Sequence, residues 1–204
     1  MSTDEWDPVR FGQGIDTARK TVEDTAYFIV SAKKRPDWNS HRAGVELIFY
    51  LALIDYETKV LIHRVMESQD DRYVWEKYLA LHLHELLERV PQAIGRAVTE
   101  MRKPGTASNA DPDAYAEAAR DLRDAFKPIR QDKDFMKAIE TIRNGVAAHH
   151  FDKATATMDP SIYWMLTSAT TRGRGATPLS SQILEYSVTA ASAIQTFASQ
   201  SMRR

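Results

Sequence analysis

The chain has 204 residues, of which 43% are hydrophobic and 27% charged, with a formal net charge of -1. That length supports one domain with a sizeable core, and the near-neutral balance excludes a protein that grips nucleic acid through a general basic surface. The absence of cysteine excludes disulfides, thiolate metal sites and cysteine nucleophiles.

Residues 1–14 are polar, contain Pro8, Gly12 and Gly14, and are expected to form a loose arm. Their acidic start lacks the apolar centre of a signal peptide. From Ile15 to Lys33 the pattern turns helical, with Val22, Ala26, Ile29 and Val30 recurring at spacings of three and four. Pro36 ends this helix, because the residue before a proline disfavours helical geometry. Lys33, Lys34, Arg35 and Arg42 form a small basic cluster, read as a solvated helix end.

The first strong helix runs from Ala43 to Glu67. Val45, Ile48, Phe49, Ala52, Leu53, Tyr56, Val60 and Val65, widened by Leu47, Leu51, Ile54 and Leu61, give it so broad an apolar face that it must be central or lie in an interface. Its longest apolar run, Val45 to Ile54, is interrupted by Glu46 and is too short to span a membrane. A soluble, cytoplasmic protein is therefore expected. After a polar break at Ser68-Gln69-Asp70-Asp71, a second long helix spans Arg72 to Arg102, with Tyr78, Leu79, Leu81, Leu83, Leu86, Leu87, Val90 and Ile94 on its face. Pro91 should kink or divide it. The two helices read as an antiparallel hairpin.

The segment from Lys103 to Pro112 is the clearest loop. Asp111 is a plausible N-cap with Pro112 at the first helical position. A helix follows from Asp113 to Phe126, which Lys127-Pro128 should disturb. Asp132 or Asp134 can cap the next helix, whose Phe135, Ile139, Ile142 and Val146 carry it into a polar stretch. A short helix is expected after Asp159-Pro160, then a basic loop with Arg172 and Arg174. A last helix covers Leu179 to Met202. No internal repeat, strand-like alternation or glycine-rich phosphate loop appears. The expected fold is all-α, a bundle of about seven helices, forming one domain over 15–204.

Candidate chemistry concentrates in Ile142-Arg143-Asn144-Gly145-Val146-Ala147-Ala148-His149-His150-Phe151-Asp152. On an ideal helix His150 returns to within about 20° of Arg143, whereas His149 points about 120° away. An unwound last turn would instead bring His149 round. A guanidinium beside an imidazole suits a phosphate, and the imidazole can exchange protons near neutral pH. The same residues can also be structural, with arginine and asparagine tying helix ends and histidines favoured at a C-terminus by the helix dipole. Elsewhere, His82 with Glu85 and His84 with Glu88 are ligand-capable pairs on one helix. The Glu-x-x-His pattern of dimetal bundles is absent, and no metal or cofactor is expected. Gly-x-Ser-x-Gly and His-Glu-x-x-His are also absent.

The segment Arg143-Asn144-x-x-x-Ala148-His149 resembles the Arg-x(4-6)-His signature of HEPN-domain proteins. Many members carry asparagine after the arginine, and the abortive-infection AbiU2-like group has alanine before the histidine. The resemblance covers residues 40–155, and its specific part is Ile142 to Asp152. It implies a HEPN-like core with N- and C-terminal helical additions, the latter at 159–202. It further implies a homodimer in which two copies build one site, and a metal-independent endoribonuclease acting on RNA as a toxin or in phage defence. A cognate antitoxin or a nucleotidyltransferase would be its partner. By the same resemblance Arg143 would stabilise the scissile phosphate, Asn144 would position the pair or contact the phosphate, and His149 would transfer the proton. His150 stays open as the alternative. Gly145 departs from a good motif helix, at a cost of about 1 kcal/mol relative to alanine. A non-catalytic interaction or nucleotide-binding module of the same fold is the rival expectation.

Overall fold

The computed structural model describes residues 7–68, 70–103, 111–147 and 178–201. The first helix, α1 (Pro8–Ala32), starts well before Ile15. The reason is local: Asp7 accepts hydrogen bonds from the Val9 and Arg10 amides at 3.1 and 3.0 Å, and Pro8 occupies the first turn, where its missing N–H costs nothing. The expected loose arm is thus helical from Pro8 onward. Only Ala18 and Ala32 of α1 are buried, while Tyr27, Phe28 and Val30 are exposed. Val30 therefore does not belong to the inward face with Val22, Ala26 and Ile29.

Helices α2 (Trp38–Glu67) and α3 (Arg72–Met101) form the expected hairpin. Their antiparallel register is visible in three contacts. Gly44 lies beside Met101, Thr58 meets His82, and the Arg64 guanidinium sits 5.7 Å from the Trp75 ring. A Cβ on Gly44 would come within 3.3 Å of the Met101 side chain, so the close approach there uses glycine. The break that starts α2 is stitched by Arg35, which is paired with Asp37, while Arg42 reaches Glu46 at 3.5 Å. These two members of the basic cluster are thus neutralised by nearby carboxylates.

α3 is a single helix that runs through Pro91. Leu79, Leu83, Leu86, Leu87, Val90 and Ile94 are all essentially inaccessible to solvent, so packing on both sides of the proline holds the helix across its lost hydrogen bond. Each such side chain contributes about 1.5–3 kcal/mol on burial. Tyr78, expected on this face, is exposed instead.

α4 (Pro112–Gln131) is capped by Asp111 as expected, through the Asp113 amide at 2.9 Å. It too passes its internal proline, Pro128, because Phe126 and Ile129 on either side are buried. Asp132, not Asp134, caps the short α5 (Lys133–Thr141), accepting from the Phe135 amide at 3.1 Å. A π-helical segment, Ile142–Ala147, follows directly. The last helix, α6 (Pro178–Ser201), packs against α4, α2 and α3. Tyr115 of α4 meets Phe197 of α6 edge-on at 5.9 Å.

The architecture is all-α. Among the described residues there are six α-helices and the π segment, where about seven helices were expected, and there is no strand. The expected helix after Asp159 lies outside the described residues. No helix among them is long and apolar enough to cross a membrane. α3 lies at the centre, contacting α2, α4, α5, α6 and the π segment.

Candidate functional site

The polar stretch is positioned from α5. Phe135, Ile139 and Ile142 are buried at helical spacing against the core, which fixes the rotation of the chain as it reaches Arg143. The π segment begins at Ile142. Its i→i+5 pattern inserts extra chain per turn, and such segments are frequent at functional sites. A wider turn advances less than an α-helix does per residue, so the ideal helix phase that favoured His150 over His149 does not hold here. His149 and His150 both lie outside the described residues.

Arg143 reaches back to the middle of α3. Its Nε donates to Glu85 Oε1 at 3.0 Å, and its Nη1 donates to the Asn144 side-chain oxygen at 3.3 Å. Arg89, one turn along α3, donates from Nε to Glu85 Oε2 at 3.3 Å. Glu85 therefore has a guanidinium on each carboxylate oxygen. Burial alone would raise its pKa, but the hydrogen bonds from Arg143 and Arg89 outweigh that and hold it below the ordinary glutamate value. The arrangement fixes Arg143 through Nε and Nη1 while leaving the Nη2 edge without a partner among the described residues. An arginine held in this way offers donors to an anion without having to be ordered first.

Glu85 is the residue that sequence reasoning missed in this role, since it was weighed only as a metal partner of His82. His82 instead joins α3 to α2. Its Nε2 is 2.8 Å from the Thr58 hydroxyl, and its Nδ1 is 3.8 Å from a Glu57 carboxylate oxygen. The Thr58 hydroxyl gives its proton to the Ile54 carbonyl at 2.6 Å, so the His82 Nε2–H must be the donor to Thr58. Burial pushes the His82 pKa down, and it pushes the Glu57 carboxyl up.

His84, Glu85 and Glu88 come together: one ligand-capable atom of each lies within 4.8 Å of the others. The expected His84–Glu88 pair is thus joined by the same carboxylate that holds Arg143.

An open groove of about 1190 Å³ runs between the first half of α2 and the last half of α3, lined by Arg42, Glu46, Tyr50, Gln92, Arg96 and Glu100 among others. Arg143 does not line it. Tyr50 connects the two places. Burial pushes its hydroxyl pKa up, with Arg89 opposing and Glu85 and Glu57 adding to the rise. Of the groove's own arginines, Arg42 lies 3.5 Å from Glu46. The arginines at 172, 174, 203 and 204 lie outside the described residues.

In comparison with known proteins, the chain matches no protein-family model, no curated protein and no solved structure at a significant level.

Proposed function

We propose that the chain is a HEPN-like, metal-independent endoribonuclease that works as a cytoplasmic homodimer, as a toxin or in phage defence. The observation that carries this reading is the anchoring of Arg143 by Glu85, with Asn144 beside it, at the head of the segment that contains His149 and His150. A histidine takes the proton of an RNA 2′-hydroxyl, and the freed oxygen attacks the adjacent phosphorus. Arg143 stabilises the phosphorane, and the departing 5′-oxygen collects a proton. The products are a 2′,3′-cyclic phosphate and a 5′-hydroxyl. Asn144 helps hold the guanidinium in place. A second copy completes the cleft, and a cognate antitoxin or nucleotidyltransferase holds the enzyme in check.

The test is cleavage of single-stranded RNA in excess chelator by wild type, R143A, H149A and H150A, with melting measured on the same samples. Loss of the proton-transfer histidine should lower the rate by about 10² or more, and the unaffected histidine variant identifies the other as catalytic. A wild-type dimer that leaves RNA intact across pH and salt overturns the reading. A second reading, a non-catalytic interaction or nucleotide-binding module, is favoured by the same Arg143–Glu85 pair if that pair is simply a tie between α3 and the π segment. It predicts that R143A lowers the melting temperature with no activity to lose.

A further inference from the structure

His84 and Glu88 are four residues apart on α3, so their side chains share a face, and Glu85 lies between them in sequence. One nitrogen or oxygen from each lies within 4.8 Å of the other two. An ion with bonds of about 2.0–2.2 Å to nitrogen and carboxylate oxygen can gather such a set by small side-chain rotations. A second observation concerns the histidine itself. Its Nδ1 is buried and has no hydrogen-bond partner among the described residues. Buried polar atoms are rarely left without a partner, and an imidazole lone pair is a metal ligand.

We propose that His84, Glu85 and Glu88 form a binding site for a zinc-class divalent cation, and that the ion and Arg143 compete for Glu85. One imidazole with two carboxylates suits zinc or a neighbouring transition metal better than magnesium or calcium, which prefer all-oxygen sets. Three protein ligands leave a position for water. Both Glu85 oxygens already accept from guanidiniums, Arg143 at 3.0 Å and Arg89 at 3.3 Å. A cation therefore has to displace at least one of them. By reciprocity, whatever Arg143 and Arg89 do to metal affinity, the metal does to their hold on Glu85. Zinc would thus act as a releasing ligand on Arg143, not as part of the cleavage chemistry.

The experiment is a calorimetric titration of metal-stripped, full-length protein with zinc alone, in wild type, E88Q, H84N, R89A and R143A. Thermal melting is recorded for each. E88Q alters an exposed side chain and serves as the variant expected to keep the fold. The expected result is a one-site event weakened about tenfold or more in E88Q and H84N, given that groups merely behind metal ligands already cost that much, and strengthened in R89A and R143A. Equal zinc affinity in wild type and E88Q overturns the site. Equal affinity in wild type and both arginine variants overturns the competition. No RNA cleavage is read, so failure of the nuclease reading and failure of this site are distinct results.

Discussion

The Arg143 Nε to Glu85 Oε1 contact, at 3.0 Å, ties together residues 58 positions apart and joins the π segment to the central helix. Both side chains are partly exposed, at 36% each, so the pair is worth less than about 1 kcal/mol to stability. Its value lies in position. E85Q removes the charge and one strong acceptor; it should leave melting nearly unchanged and, on the proposed ribonuclease reading, lower RNA cleavage. The pH dependence has a definite sign. The Glu85 carboxyl is held below the ordinary value of about 4.3, so its contribution is present above that value and is lost as pH falls through the folded-state pKa. Denaturation and cleavage measured on one E85Q preparation check both statements. An equally active E85Q would remove Glu85 from the site.

Asp132 links the start of α5 to α6 and so anchors the helix that leads into the π segment. It caps the Phe135 amide at 3.1 Å, and its other oxygen accepts from the Tyr186 hydroxyl at 3.0 Å. The Phe135 and Tyr186 rings meet edge-on at 4.6 Å above it. D132A should cost about 1–2 kcal/mol through the lost cap. Y186F should cost about 1 kcal/mol, since it removes one bond and keeps the ring contact. Urea denaturation of both variants checks the order. A Y186F loss as large as that of D132A would mean that the cap is not the main contribution.

The helices were legible because their apolar residues recur at three and four; Asp111 announced itself as a cap, while Asp132 was one of two candidates beside Asp134. The proline signals at Pro91 and Pro128 misled only as helix breaks, for a physical reason. The rule is local, whereas Val90, Ile94, Phe126 and Ile129 are buried against other helices and keep the helix continuous through the missing donor. The early start at Pro8 was hidden by Gly12 and Gly14, although Asp7-Pro8 is itself a helix-start signal. At the candidate site, Arg143 and Asn144 were found from their neighbours in sequence. Glu85 was not, because nothing in a pattern of nearby residues reveals a partner from another helix. The π segment left no periodic trace, and with it went the phase argument between His149 and His150.

Glu76 is a charged residue almost fully inside, at 3% exposure. It is satisfied by Arg72, whose Nε donates at 2.6 Å, and by the Ser180 hydroxyl, which ties α3 to the first turn of α6. E76A leaves Ser180 and Arg72 without this acceptor and should cost about 1–3 kcal/mol. E76Q, whose amide oxygen still accepts, should cost less. R72A should cost more than E76A, because it leaves the buried Glu76 charge with no cation beside it, whereas Arg72, 31% exposed, is solvated when Glu76 is gone. Chemical denaturation of the three variants checks this ranking. An E76A protein as stable as wild type would show that the network contributes nothing.

His82 makes the protein sensitive to mild acid in a predictable direction. Its imidazole, buried between Thr58 and Glu57, is held below the ordinary histidine value of about 6.5 by desolvation. The unfolded chain therefore takes up this proton before the folded one does. Stability is fully present above about 6.5 and is lost as pH falls toward and through the folded-state pKa, by at most about 1.4 kcal/mol per pH unit. Glu57 acts with the opposite sign. Burial raises its carboxyl, so its contribution is present below the ordinary value of about 4.3 and is lost as pH rises through the raised value. Between neutrality and the onset of Glu57 protonation the histidine dominates. H82Q keeps a side-chain donor for Thr58 but cannot titrate. Denaturation midpoints at neutral and mildly acid pH should therefore separate less in H82Q than in wild type. Identical acid sensitivity in the two proteins would assign the loss to groups other than His82.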